Sequence, residues 1–181
     1  MSCLPYNLGK ILGCTGPIKQ DTTDDHNIQL DDIQWENIKW DDTCEFTFPI
    51  KGGRVIKVYD GDTITIATKL PLKTEDSPIY RFSVRLNGID TPEIKGKGIT
   101  EQEKTAAHEA QQFVSNLVLD KYVTLQNIQN EKYGRILADV YIGDIHLNNL
   151  LLKERFAVPY NGATKIKPAS WLKYKLTGEV E

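Results

Sequence analysis

Three runs, "GRVIKVYD", "DTITIATKL" and "IYRFSVRLNGID", alternate apolar and polar residues between Gly53 and Asp90, and this alternation limits the fold more than any other feature. A period of two places one face of a strand on a core and the other in solvent, so the runs predict three strands in a meander. The first two are joined by a "DGD" turn and the last two by the loop "PLKTEDSP". After the Pro/Gly/Lys loop "TPEIKGKG" the period changes. In "TEQEKTAAHEAQQFVSNLVL", Thr100 and Glu103 have the spacing of a capping box, and Ala106, Ala110, Phe113, Val114, Leu117 and Val118 fall on one helical stripe. "YVTLQNI" and "RILADVYI" alternate again across "QNEKYG", and an apolar-faced helix, "LNNLLLKERF", follows the turn at Gly143 and Asp144.

Three strands, a helix, two strands and a helix give an α+β, mainly β, fold. Five short strands with a helix after the third match an OB-type barrel, a small closed sheet whose outer surface often takes nucleic acid. Beyond Tyr160, only "ASWLKYKL" has the makings of a further short helix, so two to three helices are expected. Residues 49–181 are read as the barrel domain and residues 1–48 as an acidic, partly disordered N-terminal extension. Ile33, Trp35, Ile38 and Trp40 make part of 28–48 too apolar for a purely disordered tail.

Charge separates the same two parts. Residues 1–50 carry nine acidic and three basic side chains, net −6, whereas residues 51–181 carry sixteen and nineteen, net +3. An acidic leader before a basic body is a solvated tail, or an arm that packs on the body and competes with an anionic ligand. No apolar run approaches the roughly 20 residues of a membrane span, and Met1 to Pro17 lacks the continuous apolar stretch of a secretory signal. The expected location is intracellular, without a transmembrane segment. Cys3, Cys14 and Cys44 are odd in number and lack metal-type spacing, which argues against a disulfide framework. His26, His108 and His146 are scattered and read as structural or exposed.

The chemistry concentrates at strand ends. Asp60 and Asp62 flank Gly61, and Asp90 and Glu93 lie in "GIDTPE", where Pro92 forces Thr91 out of the helical region. If the second and third strands pair, Asp62 and Asp90 reach the same rim. Converging carboxylates repel and need a cation or a proton, and an all-oxygen set favours a hard ion such as Ca²⁺ or Mg²⁺. Aspartates are also ordinary turn formers. Arg85, five residues before Asp90, points to the opposite face by strict alternation unless a bulge or barrel curl intervenes. A guanidinium, here Arg85 or Arg135 after the "KYG" turn, is the best side chain for a phosphate.

"DGDT", then "VRLNGIDTPE", then "EKYGR", in this order and at these separations, resemble the thermonuclease (staphylococcal nuclease-like) family, over about Arg54 to Gly162. The resemblance implies an OB barrel and a nuclease. It also implies one Ca²⁺, with Mg²⁺ as a weaker substitute, held by Asp62, Asp90 and the Thr91 carbonyl. Glu93 is then implied to orient or deprotonate the attacking water, and Arg85 and Arg135 to hold the phosphate and its transition-state charge. Lys132, Tyr133 and Tyr160 are implied as substrate contacts, and Asp60 as a turn former or indirect support. The implied partners are DNA and RNA, unpaired strands preferred, cut with little sequence specificity to leave 3'-phosphates by a monomer. The alternative is a non-catalytic nucleic-acid or protein-binding module of the same family. Such modules typically lose the acidic and arginine set, which is present here.

Overall fold

The computed structural model describes residues 34–71 and 77–180. The chain divides after Phe46. In the first unit, residues 34–46 form two single 3-10 turns, Trp35–Asn37 and Trp40–Asp42. Asp42 closes the second by accepting from the Lys39 amide at 3.0 Å. Trp35, Ile38 and Trp40 are exposed, as is the free thiol of Cys44. The expectations for residues 1–33, including Cys3, Cys14 and His26, lie outside the described residues.

The second unit is a barrel. Its strands are β1 (Gly52–Val58), β2 (Thr63–Lys69), β3 (Ile79–Leu86), β4 (Ile89–Asp90), β5 (Tyr122–Asn130), β6 (Ile136–Ile142), β7 (Ile145–His146) and β8 (Val158–Pro159). Three helices accompany them: α1 (Glu101–Val118), α2 (Leu147–Lys153) and α3 (Trp171–Thr177). The antiparallel order β3-β2-β1-β5-β6 is closed into a five-stranded barrel by parallel pairing of β3 with β6. That closure sets Arg85 opposite Leu137, two residues from Arg135.

The core follows from the alternation. Val55, Ile64, Ile66, Val84, Leu86, Val123, Ile136 and Val140 point inward and are buried, each contributing about 1.5–3 kcal/mol by leaving water. Strict alternation would turn Lys57 inward, so β1 shifts register between Val55 and Lys57. Val55 then opposes Ile66, Lys57 opposes Thr65, and Val58 opposes Ile64. Val114 and Val118 of α1 and Leu147 and Leu151 of α2 complete the core.

Helix α1 starts at the expected cap, with Thr100 Oγ1 accepting from the Glu103 amide at 3.1 Å. Its core stripe is Ala107, Ala110, Val114 and Val118. Ala106 instead packs on a second cluster of Val158, Trp171 and Tyr174, between α1 and α3. The apolar arc is therefore wider than one stripe, because α3 adds a second surface for α1 to cover. Helix α2 ends at Lys153, three residues before Phe156, whose ring packs on Phe113 with centroids 4.5 Å apart. Among the described residues no helix is long and apolar enough to cross a membrane.

Between β3 and β4 the chain reverses at Asn87 and Gly88, where Gly88 takes φ +76°, a conformation glycine adopts without penalty. Asn148 on α2 anchors this turn. Its buried side-chain amide donates to the Asn87 carbonyl at 2.8 Å and to the Ala138 carbonyl at 3.4 Å, and accepts from the Val140 amide at 3.0 Å. Removing it strands buried backbone groups, each costing about 1–3 kcal/mol. Asn148→Ala is therefore predicted to lower the unfolding free energy by about 2–4 kcal/mol in urea titrations. Unchanged stability would show that the clamp does not hold the β3–β4 turn.

Candidate active site

The Asp60-Gly61-Asp62 turn is an Asx turn: Asp60 Oδ1 accepts from the Asp62 amide at 3.1 Å. Strand β2 begins at Thr63, so Asp62 lies just before the strand and not on it. Gln111 of α1 secures the turn by donating to the Tyr59 carbonyl at 2.7 Å. Gly61 is required by proximity. A Cβ there would sit 2.9 Å from both Ala110 Cβ and Thr91 Cγ2, so the turn lies flat against α1 and against the residue after Asp90.

Arg85 resolves the face problem posed by alternation. It stands opposite Thr63 on the outer surface of the β2–β3 pair, next to Asp62, whose carbonyl accepts from the Leu86 amide at 2.8 Å. Asp90 is not on β3 at all. It lies beyond the Gly88 turn on β4, which pairs with β8, and the reversal brings its carboxylate back to the Arg85 fork. Arg85 Nη1 donates to Asp62 Oδ1 at 2.9 Å and Nη2 to Asp90 Oδ1 at 3.0 Å. Thr63 Oγ1 also donates to Asp62 Oδ1, at 3.0 Å. Both aspartates are almost wholly buried, at 3% and 1% exposure.

Burial, reinforced by the Asp60 charge, pushes the Asp62 carboxyl up to about 7 against the pull of Arg85. Burial also raises the Asp60 carboxyl. For Arg85, burial acts against the charged form, but Asp62 and Asp90 outweigh it and hold the guanidinium firmly protonated. The site is short of positive charge.

Glu93 follows on the same rim, and here the structure adds residues that the sequence did not single out. Lys165 Nζ lies 2.8 Å from Asp90 Oδ1 and 2.7 Å from Glu93 Oε1. Glu103 does not return its carboxylate to the Thr100 amide as a full capping box would. It accepts from the Glu93 amide at 3.3 Å and from Lys167 Nζ at 2.9 Å. Arg135 is held by a two-point pair with Glu131, Nη2 lying 2.7 Å from Oε1. Tyr160 is 6.0 Å, ring centroid to guanidinium carbon, from Arg85. Thr91 is buried beside the turn. Tyr133, at the tip of the β5–β6 connection with φ +69°, is 94% exposed, and Lys132 is exposed beside it. Asp62, Asp90, Arg85, Glu93 and Tyr160 thus share one rim, while Lys132 and Tyr133 stand exposed on the β5–β6 connection.

Staphylococcal nuclease homologues match this chain over residues 83–174, half its length, and that stretch holds Arg85, Asp90, Thr91, Glu93, Arg135 and Tyr160. The chain belongs to the staphylococcal nuclease family. Asp62 precedes the matched stretch and joins the site through Arg85. Similar proteins include an uncharacterized protein of Bacillus anthracis, 35% identical over 59% of this chain and 46% of its own length. An uncharacterized endonuclease of Escherichia coli is 32% identical over 60% of each chain. The thermonuclease of Staphylococcus hyicus is 33% identical over 58% of this chain and 56% of its own. The chain thus spans about half to three-fifths of the length of these relatives.

A divalent cation suits the donors that this family member presents. Asp60, Asp62, Asp90 and Glu93 face Arg85 and Lys165, an excess of two carboxylates over cations when all are ionised. Asp90 Oδ2 is buried and has no hydrogen-bond partner among the described residues, an acceptor that is costly to leave unpaired. Oxygen-only donors of this charge match a hard ion. Among the described residues no three His, Cys, Asp or Glu side chains gather as a metal cluster. The flat turn that joins these carboxylates gives a direct test. Gly61→Ala forces Thr91 and Ala110 apart and is predicted to cost about 1–3 kcal/mol of stability in chemical denaturation. A neutral substitution would mean that the turn does not bear on Thr91.

Proposed function

We propose that this chain is a metal-dependent nuclease that hydrolyses phosphodiester bonds of DNA and RNA with little sequence specificity, leaving 3'-phosphates. The observation that carries the reading is the buried Asp62–Arg85–Asp90 unit at the barrel rim, with an Asp90 oxygen that has no partner among the described residues. Asp62, Asp90 and the Thr91 carbonyl would hold the ion, Ca²⁺ by preference and Mg²⁺ less well. Bound there, it supplies Lewis-acid neutralisation of phosphate charge.

The side chains account for the remaining needs of in-line attack, which are a positioned water, neutralised non-bridging oxygens and a tolerated leaving alkoxide. Glu93, on the open side of the buried pair, orients the water and takes its proton. Arg85 spends two donors on aspartates, and a guanidinium has five, so it retains capacity for a phosphate. Arg135 presents a planar fork that Glu131 now fills, and a phosphate oxygen pair is the same shape of acceptor. Tyr160 backs the Arg85 guanidinium, and the exposed Lys132 and Tyr133 offer a charge and a stacking face to an unpaired strand.

Cleavage of plasmid and single-stranded DNA tests this directly. The wild type is predicted to cut with Ca²⁺, more weakly with Mg²⁺, and not with chelator. Glu93→Gln and Arg135→Ala should each reduce kcat by about 100-fold or more. Cutting that ignores chelation or survives both substitutions contradicts the mechanism. Strand binding without cleavage would indicate a binding module instead. The two aspartates of the opening turn should separate in the same assay. Asp62→Asn is predicted to abolish metal-dependent cleavage, whereas Asp60→Asn, which weakens the Asx turn and removes a charge beside Asp62 but leaves Asp62 and Asp90 in place, should leave partial activity. Equal losses would contradict the division of roles.

A further inference from the structure

Lys165 belongs to a segment unlike the rest of the rim. Residues 161–167 are exposed throughout, beginning at an Asn161-Gly162 turn in which Asn161 Oδ1 accepts from the Ala163 amide at 3.2 Å. Among the described residues, the side-chain anchors that tie this segment to the rest of the unit are the two ammonium groups, Lys165 on Asp90 and Glu93 and Lys167 on Glu103, and the Tyr160 hydroxyl, which donates to the Ala163 carbonyl at 3.2 Å. Its other side borders an open hollow of about 380 Å³ beside Gly88, Pro159 and Tyr160. Two lysines, two positions apart, pin an exposed strap to the acidic rim.

The two cations on Asp90 Oδ1 are not equivalent. Arg85 is gripped by two aspartates and its side chain is 12% exposed, whereas the Lys165 side chain is 35% exposed and hangs from the strap. Like charges crowded on one carboxylate repel, and the less anchored one yields. We infer that residues 161–167 form a displaceable strap in which Lys165 stands in for the divalent cation, so that seating the cation at Asp62 and Asp90 expels the ammonium and uncovers Glu93. One event then completes the charge of the buried pair and frees the carboxylate that handles the water. An empty site stays partly neutralised and closed. This rests on the reading of Asp62 and Asp90 as the cation seat.

Calorimetric titration of the full chain with Ca²⁺, without nucleic acid, tests it. Lys165→Met is predicted to bind Ca²⁺ about tenfold more tightly than wild type, and Lys167→Gln, which loosens the strap while leaving Lys165 in place, about threefold. Lys165→Arg, which keeps the competing charge, and Lys97→Gln, an exposed lysine of the neighbouring loop, should stay within about twofold of wild type. Unchanged or weaker binding by Lys165→Met overturns the inference, as does an unchanged Lys167→Gln or an absence of Ca²⁺ binding in every protein. Tighter binding by Lys165→Met in a chain that cuts no nucleic acid would uphold the strap and remove the nuclease reading. Intact cleavage with unchanged affinities would do the reverse.

Discussion

The Arg85 guanidinium reaches two aspartates at once, and the rim is organised around that reach. Asp62 closes the turn before β2, and Asp90 follows the Gly88 reversal after β3. Neither carboxylate would stay buried beside the other without a cation between them. Taking one partner from a buried pair typically costs about 3–5 kcal/mol, because the other charge is left stranded. Arg85 is therefore a condition of the folded rim. Its place depends in turn on barrel closure, since the parallel β3–β6 contact fixes where β3 ends and where Arg135 begins.

The arginine neutralises too little. Asp62 remains raised by burial and by Asp60, and one oxygen of Asp90 has no partner among the described residues. Lys165 makes up part of the shortfall from a different element. A rim built in this way keeps more negative charge than its own residues can balance, the property expected of a cation seat and out of place in a merely structural ion pair. Lys165 bonds both Asp90 and Glu93, so the buried pair and the open carboxylate share one counter-charge.

Much of this was legible in the sequence, for identifiable reasons. Period-two alternation located β1, β2, β3, β5 and β6, because each buries one face against the same core. Thr100 marked the start of α1, and Asp62, Arg85, Asp90 and Glu93 of "DGDT" and "VRLNGIDTPE" share the rim, while Arg135 of "EKYGR" pairs with Glu131. Arg85 seemed to face away from Asp90 because alternation was extended through the Gly88 reversal, where it ends. Glu103 read as a capping-box partner, yet its carboxylate serves Glu93 and Lys167. Lys165 was missed because nothing local announces it. It reaches Asp90 because Val158 and Pro159 pair with Ile89 and Asp90, a two-residue ladder too short to leave a periodic trace. Glu131 was passed over for a similar reason, since its pairing with Arg135 requires the turn at Tyr133 and Gly134, both at positive φ.

The central claim is that Asp62 and Asp90 act as one cation seat assembled by Arg85. The most direct test is the stoichiometry and affinity of Ca²⁺ in a double-substitution cycle of Asp62→Asn and Asp90→Asn. The account predicts one ion per chain, loss of binding in either single variant, and no further loss in the double. One ion retained by both single variants, or two modest and additive losses, would place the cation elsewhere and contradict it.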